Sequence, residues 1–483
     1  MRRRFALALL PFVSGAAFAD PWLAPGDVVL RHDIELLADA GILHGPVMSW
    51  PLSWPDIARD LQPVLPSAEL DRATTEALLR VKRLAAGSSD GGFSGLGVRA
   101  AAASSPTMLR TFEDTPREEG EAGARASWLS DHLVLNLEAT VVVDPQDDQQ
   151  FRADGSYLGI NVGNWAISAG LIDRWWGPGW DGSLILSTNA RPPPSLTIER
   201  NYSDPFKSKW LSWIGPWRFS FGMAQMEGSD VAVADVLLME TRLSMKPLPW
   251  LEFGLSRTAQ WCGEGRPCDF DAFRNMLLGQ DNEVTDGDVS QQPGNQMAGY
   301  DLRLRSPWKA LPITFFTQWI GEDEAGGLPS KFLGLAGLEG WHSTGWGAVR
   351  WRAEFADTTC VFTRETPEYN CAYRNAAYPQ GYTYRGRIMG YSTDNDSRSR
   401  SYSGMLVRPD GSQYSLAFRD VDLNRDGGPH TISTIPQRLR NVELRHSRVL
   451  GAGRIGIGAG FDDLAEGSAD SEFRGFVTYE QGF

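Results

Sequence analysis

The sequence predicts an all-β transmembrane barrel of about eighteen antiparallel strands with a small N-terminal α-helical region in the periplasm. Three observations carry this. From about residue 91 onward, apolar and polar side chains alternate with a period of two. No stretch of the mature chain approaches the ~20 uninterrupted apolar residues of a transmembrane helix. Gly 51, Trp 18, Tyr 12 and Phe 22 suit tight turns and aromatic girdles, and 42% hydrophobic content suits strands with one greasy face.

The chain opens with a basic Met1-Arg2-Arg3-Arg4, a short apolar run from Phe5 to Val13, and Ala17-Phe18-Ala19. This reads as a signal peptide over residues 1–19, cleaved before Asp20. Removing three arginines takes the net charge from −14 to −17, which argues against nucleic acid as a partner. Residues 20–90 read as a periplasmic helical bundle. Val28, Leu30, Ile34, Leu37 and Ile42 recur at near-helical spacing after a capping Asp27. Ser53-Trp54-Pro55-Asp56 starts a second helix with proline in its first turn. Ser67 is expected to cap a third, from Glu69 to Ala86. Gly87-Ser88-Ser89-Asp90-Gly91-Gly92 is the boundary to a barrel over residues 91–483.

Within the barrel, alternation assigns faces. Leu133, Leu135, Leu137, Ala139 and Val141 oppose Asn136, Glu138 and Thr140; Val349, Trp351, Ala353 and Phe355 oppose Arg350, Arg352 and Glu354. Polar excursions at Gly263–Gln296 and Thr358–Arg385, against links such as Pro247-Leu248-Pro249, give long loops at one end and tight turns at the other. Cys262/Cys268 and Cys360/Cys371 lie in turn-rich segments without neighbouring histidines, so two loop-pinning disulfides are expected and no zinc site. Phe473, Gly475, Val477, Tyr479 and Phe483 share a face of the last strand. That end resembles the signature of proteins delivered to the barrel assembly machinery.

The chemistry concentrates in Asn164–Tyr202, where a strand breaks into Arg174-Trp175-Trp176-Gly177-Pro178-Gly179-Trp180, followed by Asn189, Arg191 and three prolines. Tryptophan faces bind sugars and arginine forks grip carboxylates. Arg174, Trp175, Trp176, Trp180, Asn189 and Arg191 are therefore candidate polysaccharide-binding residues; the competing reading is an aromatic belt with a packed lumen loop. The inward faces carry Arg218, Arg242, Arg303, Arg305, Arg350, Arg352 and Arg454 against Glu138, Glu240, Glu252, Asp301 and Glu354. These either fill the lumen with ion pairs or make a basic track for an acidic glycan. Tyr369, Tyr373, Tyr378, Tyr382 and Tyr384, interleaved with arginines, suit either glycan capture on a pinned loop or packing over the barrel mouth.

No hydrolase elbow, HExxH pair or Walker loop occurs, so no enzyme and no cofactor are expected. Asp422–Gly427 has the look of a calcium loop but lacks the bidentate glutamate at its twelfth position, where Ser433 stands, and reads as a turn. The Arg174–Pro194 segment resembles the hallmark of the Wzi-type capsule assembly family of outer-membrane lectins, and Leu30–Trp54 is similar to that family's periplasmic helical region. The resemblance implies a barrel of about eighteen strands in the outer membrane of a Gram-negative bacterium. It also implies a role in binding capsular or exopolysaccharide and assembling or attaching it at the cell surface. The expected surroundings are outer-membrane lipid and lipopolysaccharide, and closed edges predict a monomer. The alternative is a porin for small saccharides or other solutes.

Overall fold

The computed structural model describes residues 22–482 except 68–69, 88–91, 131, 230, 279–293, 309–310, 326–327 and 465–470. The expected signal peptide and Phe483 lie outside the described residues. Eighteen antiparallel strands, each beside its sequence neighbour, close into one barrel. The first, Gly92–Ala103, and the last, Glu472–Gly482, seal it, in register from Phe476↔Ala103 to Gly482↔Gly97. Phe151–Arg152 and Tyr157–Val162 both pair with Leu133–Val143 and count as one interrupted strand.

Alternation decides what faces where. In strand Gly294–Arg305, Tyr300 is 39% exposed while its neighbour Asp301 is 0% exposed and Arg303 is buried. Leu137, Leu338, Leu416, Leu444 and Ile457 are likewise exposed, and Arg218, Arg242 and Arg350 are buried. Exposed leucine with buried arginine inverts the soluble pattern, as a wall facing lipid requires. Connections 163–164, 249–250, 345–346 and 451–452 lie at one end, and 104–119, 171–194, 358–397 and 424–436 at the other. Exposed Trp210, Trp213, Trp250, Trp308 and Trp346 all sit in connections at the first end, where they form a girdle for a membrane interface.

Three helices occupy that same end. In α1 (Val28–Asp39), the Asp27 side chain accepts from the backbone of Val29 and Leu30. In α2 (Trp54–Leu61), Ser53 accepts from Asp56 N, with Pro55 in the first turn. The third, α3 (Arg72–Gly87), starts later than the spacing from Ser67 suggested. Its cap is Asp71, which accepts from Thr74 N at 3.1 Å and Thr74 Oγ1 at 2.5 Å. Ile34, Leu37, Ala77, Leu78 and Val81 of these helices share a core with Trp175, Trp180 and the wall residues Ala348, Met405 and Val407. The helices therefore plug the barrel.

The plug is locked by charge. Arg303 pairs with Asp39 (2.9 Å) and Glu339 (3.3 Å); Arg350 pairs with Glu35 and Glu339, both at 2.6 Å. Arg80 of α3 grips Asp33 of α1 bidentately, and Glu252 accepts from Val47 N and Met48 N at 2.8 Å. His32 Nδ1 accepts from Arg350 Nε at 3.0 Å. Burial first, then Arg350, hold this imidazole well below its usual range, which keeps it the neutral acceptor that the contact needs. Cys262–Cys268 and Cys360–Cys371 are disulfides in two of the long connections.

Arg350→Met removes one of two guanidinium partners from Glu35, which keeps Arg31, and from Glu339, which keeps Arg303, at a cost of ~3 kcal/mol. Limited proteolysis is expected to clip α1 faster than in the parent, with heat-modifiable migration of the barrel unchanged. Equal clipping rates would remove Arg350 from the lock.

Candidate functional site

Between strands Trp165–Gly170 and Ser195–Arg200 the chain leaves the wall and runs through the lumen. Trp175–Trp176 pairs antiparallel with Ser49–Trp50, the segment between α1 and α2. The turn that follows rests on α1: Arg31 donates Nη1 to Gly179 O (2.9 Å) and Nη2 to Pro178 O (2.7 Å). From the wall, Glu354 accepts from Trp180 N and Asp181 N at 3.1–3.2 Å. Gly177 has φ 149°, and a Cβ there would stand 2.7 Å from Gln318 Nε2, which itself donates to Trp176 O. A Cβ on Gly182 would meet the Tyr391 ring at 2.2 Å.

The tryptophans are thus interior: Trp175, Trp176 and Trp180 are 0%, 2% and 3% exposed. They are not displayed on a surface loop, because the carbonyls and amides of this turn find their partners on α1, on Met48, on Phe112 and on the inner wall. The Trp175 indole donates to Gly179 O at 3.0 Å, and Phe112 meets Trp50 and Trp175 edge-on. Trp180 carries guanidiniums from Arg31 (4.1 Å), Arg352 (4.3 Å) and Arg350 (5.1 Å) over its ring. Arg174 is spent on Glu199 (2.7 Å), Glu240 (3.1 Å) and Thr197.

Beside Trp180 lies a small cavity of about 40 Å³, lined by Thr111, Glu113, Arg352, Arg419, Glu443 and Arg445 among others. Arg419 pairs with Asp181 (2.7 Å) and Glu443 (3.0 Å), and Arg445 pairs with Glu113 (2.9 Å) and Glu443 (2.5 Å). Of the inward arginines, Arg218, Arg303 and Arg350 are buried, while Arg305, Arg352 and Arg454 are half-buried. The tyrosines follow the packing alternative. Tyr373, Tyr378, Tyr382 and Tyr384 are buried in the largest apolar cluster, with Tyr373 Oη donating to Leu184 O and Tyr378 Oη to Cys262 O. Connection 358–397 folds into the mouth rather than standing above it.

At the outer mouth the balance changes. Asn189 is the hub: its Nδ2 donates to Ile388 O (2.8 Å), its carbonyl accepts from Arg117 Nη1 (3.0 Å), and its Oδ1 accepts from Arg387 Nη1 (3.4 Å). Arg387 Nη2 donates to Gln146 Oε1 and Arg117 Nη2 to Thr188 O. Both arginines are half-buried, and neither guanidinium has a carboxylate partner among the described residues. Burial and the charge of Arg117 pull Arg387 down to about 10, and the same two causes hold Arg110 well below its usual range. Next to them Arg191 is satisfied, bidentate on Asp154 (2.7 and 2.8 Å) and 2.6 Å from Asp147. Arg110, Arg117 and Arg387 escape sequence reasoning because nothing local distinguishes them from other loop arginines. Among the described residues, no three His, Cys, Asp or Glu side chains are grouped to hold a metal ion.

The family model for the capsule assembly protein Wzi matches residues 92–449. A Klebsiella pneumoniae protein described as an uncharacterized 55.8 kDa protein in the cps region is 34% identical over 358 residues, 73% of this chain and 68% of that one. The structure of Escherichia coli Wzi aligns at a TM-score of 0.83 and 28% identity, over 95% of this chain and 99% of that chain. It is described as a carbohydrate-binding β-barrel of the outer membrane involved in group 1 capsule assembly.

Burial raises the Asp173 carboxyl, beside Arg174, to about 6. A raised carboxyl binds its proton more tightly in the folded state, so its contribution favours the fold at acid pH and is lost as pH rises from about 4 through 6. Asp173→Asn is expected to raise the thermal midpoint at pH 8, by at most ~3 kcal/mol of stability, and to match the parent only below about pH 4. A midpoint difference independent of pH would contradict this assignment.

Proposed function

The chain belongs to the Wzi capsule assembly family, and from that premise we propose that it is an outer-membrane lectin that binds capsular or exopolysaccharide and helps assemble or attach it at the cell surface. The observation that carries this reading is the unmatched pair Arg117 and Arg387 at the mouth, in a molecule where Arg174, Arg303, Arg350 and Arg419 of the lumen all face carboxylates. Half-buried guanidiniums held open by backbone carbonyls and one asparagine are preorganised for a carboxylate they do not yet have. A uronate on the glycan supplies one. In this reading Asn189 aims both arginines and Arg191 fixes the neighbouring loop. Arg174, Trp175, Trp176 and Trp180 brace the floor beneath, and the role is binding rather than catalysis.

The helical region (20–90) then faces the periplasm and the barrel (91–483) spans the membrane as a monomer among lipid and lipopolysaccharide, inserted by the barrel assembly machinery. A porin needs an open path. Here the lumen holds α1, the Trp175–Trp180 turn and the Arg303–Asp39 and Arg350–Glu35 pairs, which weighs against solute flow.

In pull-downs of the host's own surface polysaccharide, Arg117→Gln with Arg387→Gln is expected to lower retention at least ~10-fold, since one charge-assisted hydrogen bond contributes ~1.5–3 kcal/mol. Heat-modifiable migration should not change. In planar bilayers the parent should give no steady conductance. Steady conductance with no polysaccharide retention would replace the lectin with the porin.

A further inference from the structure

We propose that the junction of connections 358–397 and 424–436 binds a calcium ion through Asp396, Asn395 and Asp426, with backbone carbonyls completing the shell. This rests on geometry that the saccharide reading does not use. The two connections are laced together there: Arg425 N donates to Asp396 O at 3.0 Å, and Asn370 N donates to Asp396 Oδ2 at 2.7 Å. Asn370 Nδ2 in turn donates to Asp426 Oδ2 at 2.9 Å, so one asparagine holds both carboxylates.

Asp396 and Asn395 are each 0% exposed, and their oxygens Asp396 Oδ1 and Asn395 Oδ1 have no hydrogen-bond donor among the described residues. These atoms belong to adjacent groups, since Asn395 Nδ2 donates to Asp396 Oδ2 at 3.1 Å. Carboxylate and amide oxygens accept only. Two such acceptors, buried on adjacent residues without a donor, call for a positive partner. The nearby cations are committed elsewhere. Arg425 binds Asp357, Thr359 and Tyr369, and Arg374 binds Asp394 and Pro429 O.

Calcium fits this donor set better than zinc or magnesium. It accepts carboxylate, amide and backbone oxygens together in irregular geometry, whereas zinc needs nitrogen or sulfur and magnesium demands a near-ideal octahedron. At an exposed rim with only two carboxylates the affinity should fall in the ~0.1–1 mM range of extracellular modules.

The test uses the full chain refolded in detergent, free of lipopolysaccharide, and stripped with EGTA. Calcium is expected to slow protease cleavage of connection 358–397 severalfold and raise the thermal midpoint, with equal magnesium doing neither. Asp396→Asn should abolish the response. Asp426→Asn, whose side chain is exposed and does not pack, should shift the calcium midpoint about tenfold. The proposal is overturned if the parent is indifferent to calcium. It is equally overturned if both variants respond to calcium as the parent does, since the cation then binds elsewhere.

Discussion

The buried pairing of lumenal arginines with carboxylates from the plug is the constraint on which the rest of the structure depends. Lipid claims the apolar face of each strand, so the polar face is left to fill an interior wider than its own side chains can close. Arg303 and Arg350 meet Asp39 and Glu35 of α1 across that gap, with Glu339 shared between them. A charge taken out of water tolerates no vacancy opposite it, so these contacts specify the depth and rotation of the helices far more sharply than apolar packing would. The short helices gain their core from the barrel, as their shared cluster with Ala348, Met405 and Val407 records.

Against that background the two ends of the molecule differ in kind. Most of the interior is electrically closed: Arg174, Arg242, Arg419 and Arg474 find carboxylates, while Arg218 rests on the carbonyls of Ser49 and Pro51. The mouth is left open around Asn189. A Pro/Gly-rich loop is an unexpected place to fix a binding surface, but the backbone of its turn is tied to α1, Met48, Phe112, Glu354 and Gln318. The loop is as rigid as the wall, and the half-buried arginines above it inherit that rigidity.

Much of this was legible in the sequence, because faces and elements are local properties. A period of two placed Arg303 inward and Leu137 outward, and proline with glycine announced the turn after Trp176. What escaped was long-range partnership. Trp175–Trp176 pairs with Ser49–Trp50, more than a hundred residues away, and no local pattern encodes that. The tyrosines between Cys360 and Arg387 had the composition of a binding loop and the fate of a core, because a long loop over a wide barrel can bury rings by folding inward. At α3 the choice between Ser67 and Asp71 turned on one residue's reach to an amide three positions on, which spacing alone does not settle.

The pairing of Ser49–Trp50 with Trp175–Trp176 also bears on the order in which the molecule is made. One partner precedes the first wall strand and the other hangs from a connection at the far end, yet they meet inside a ring sealed by the first and last strands. Neither could be threaded through a finished ring without dismantling the charge lock around it. Wrapping the wall around a core that has already met avoids that step, with the C-terminal strand as the lid on a vessel packed beforehand.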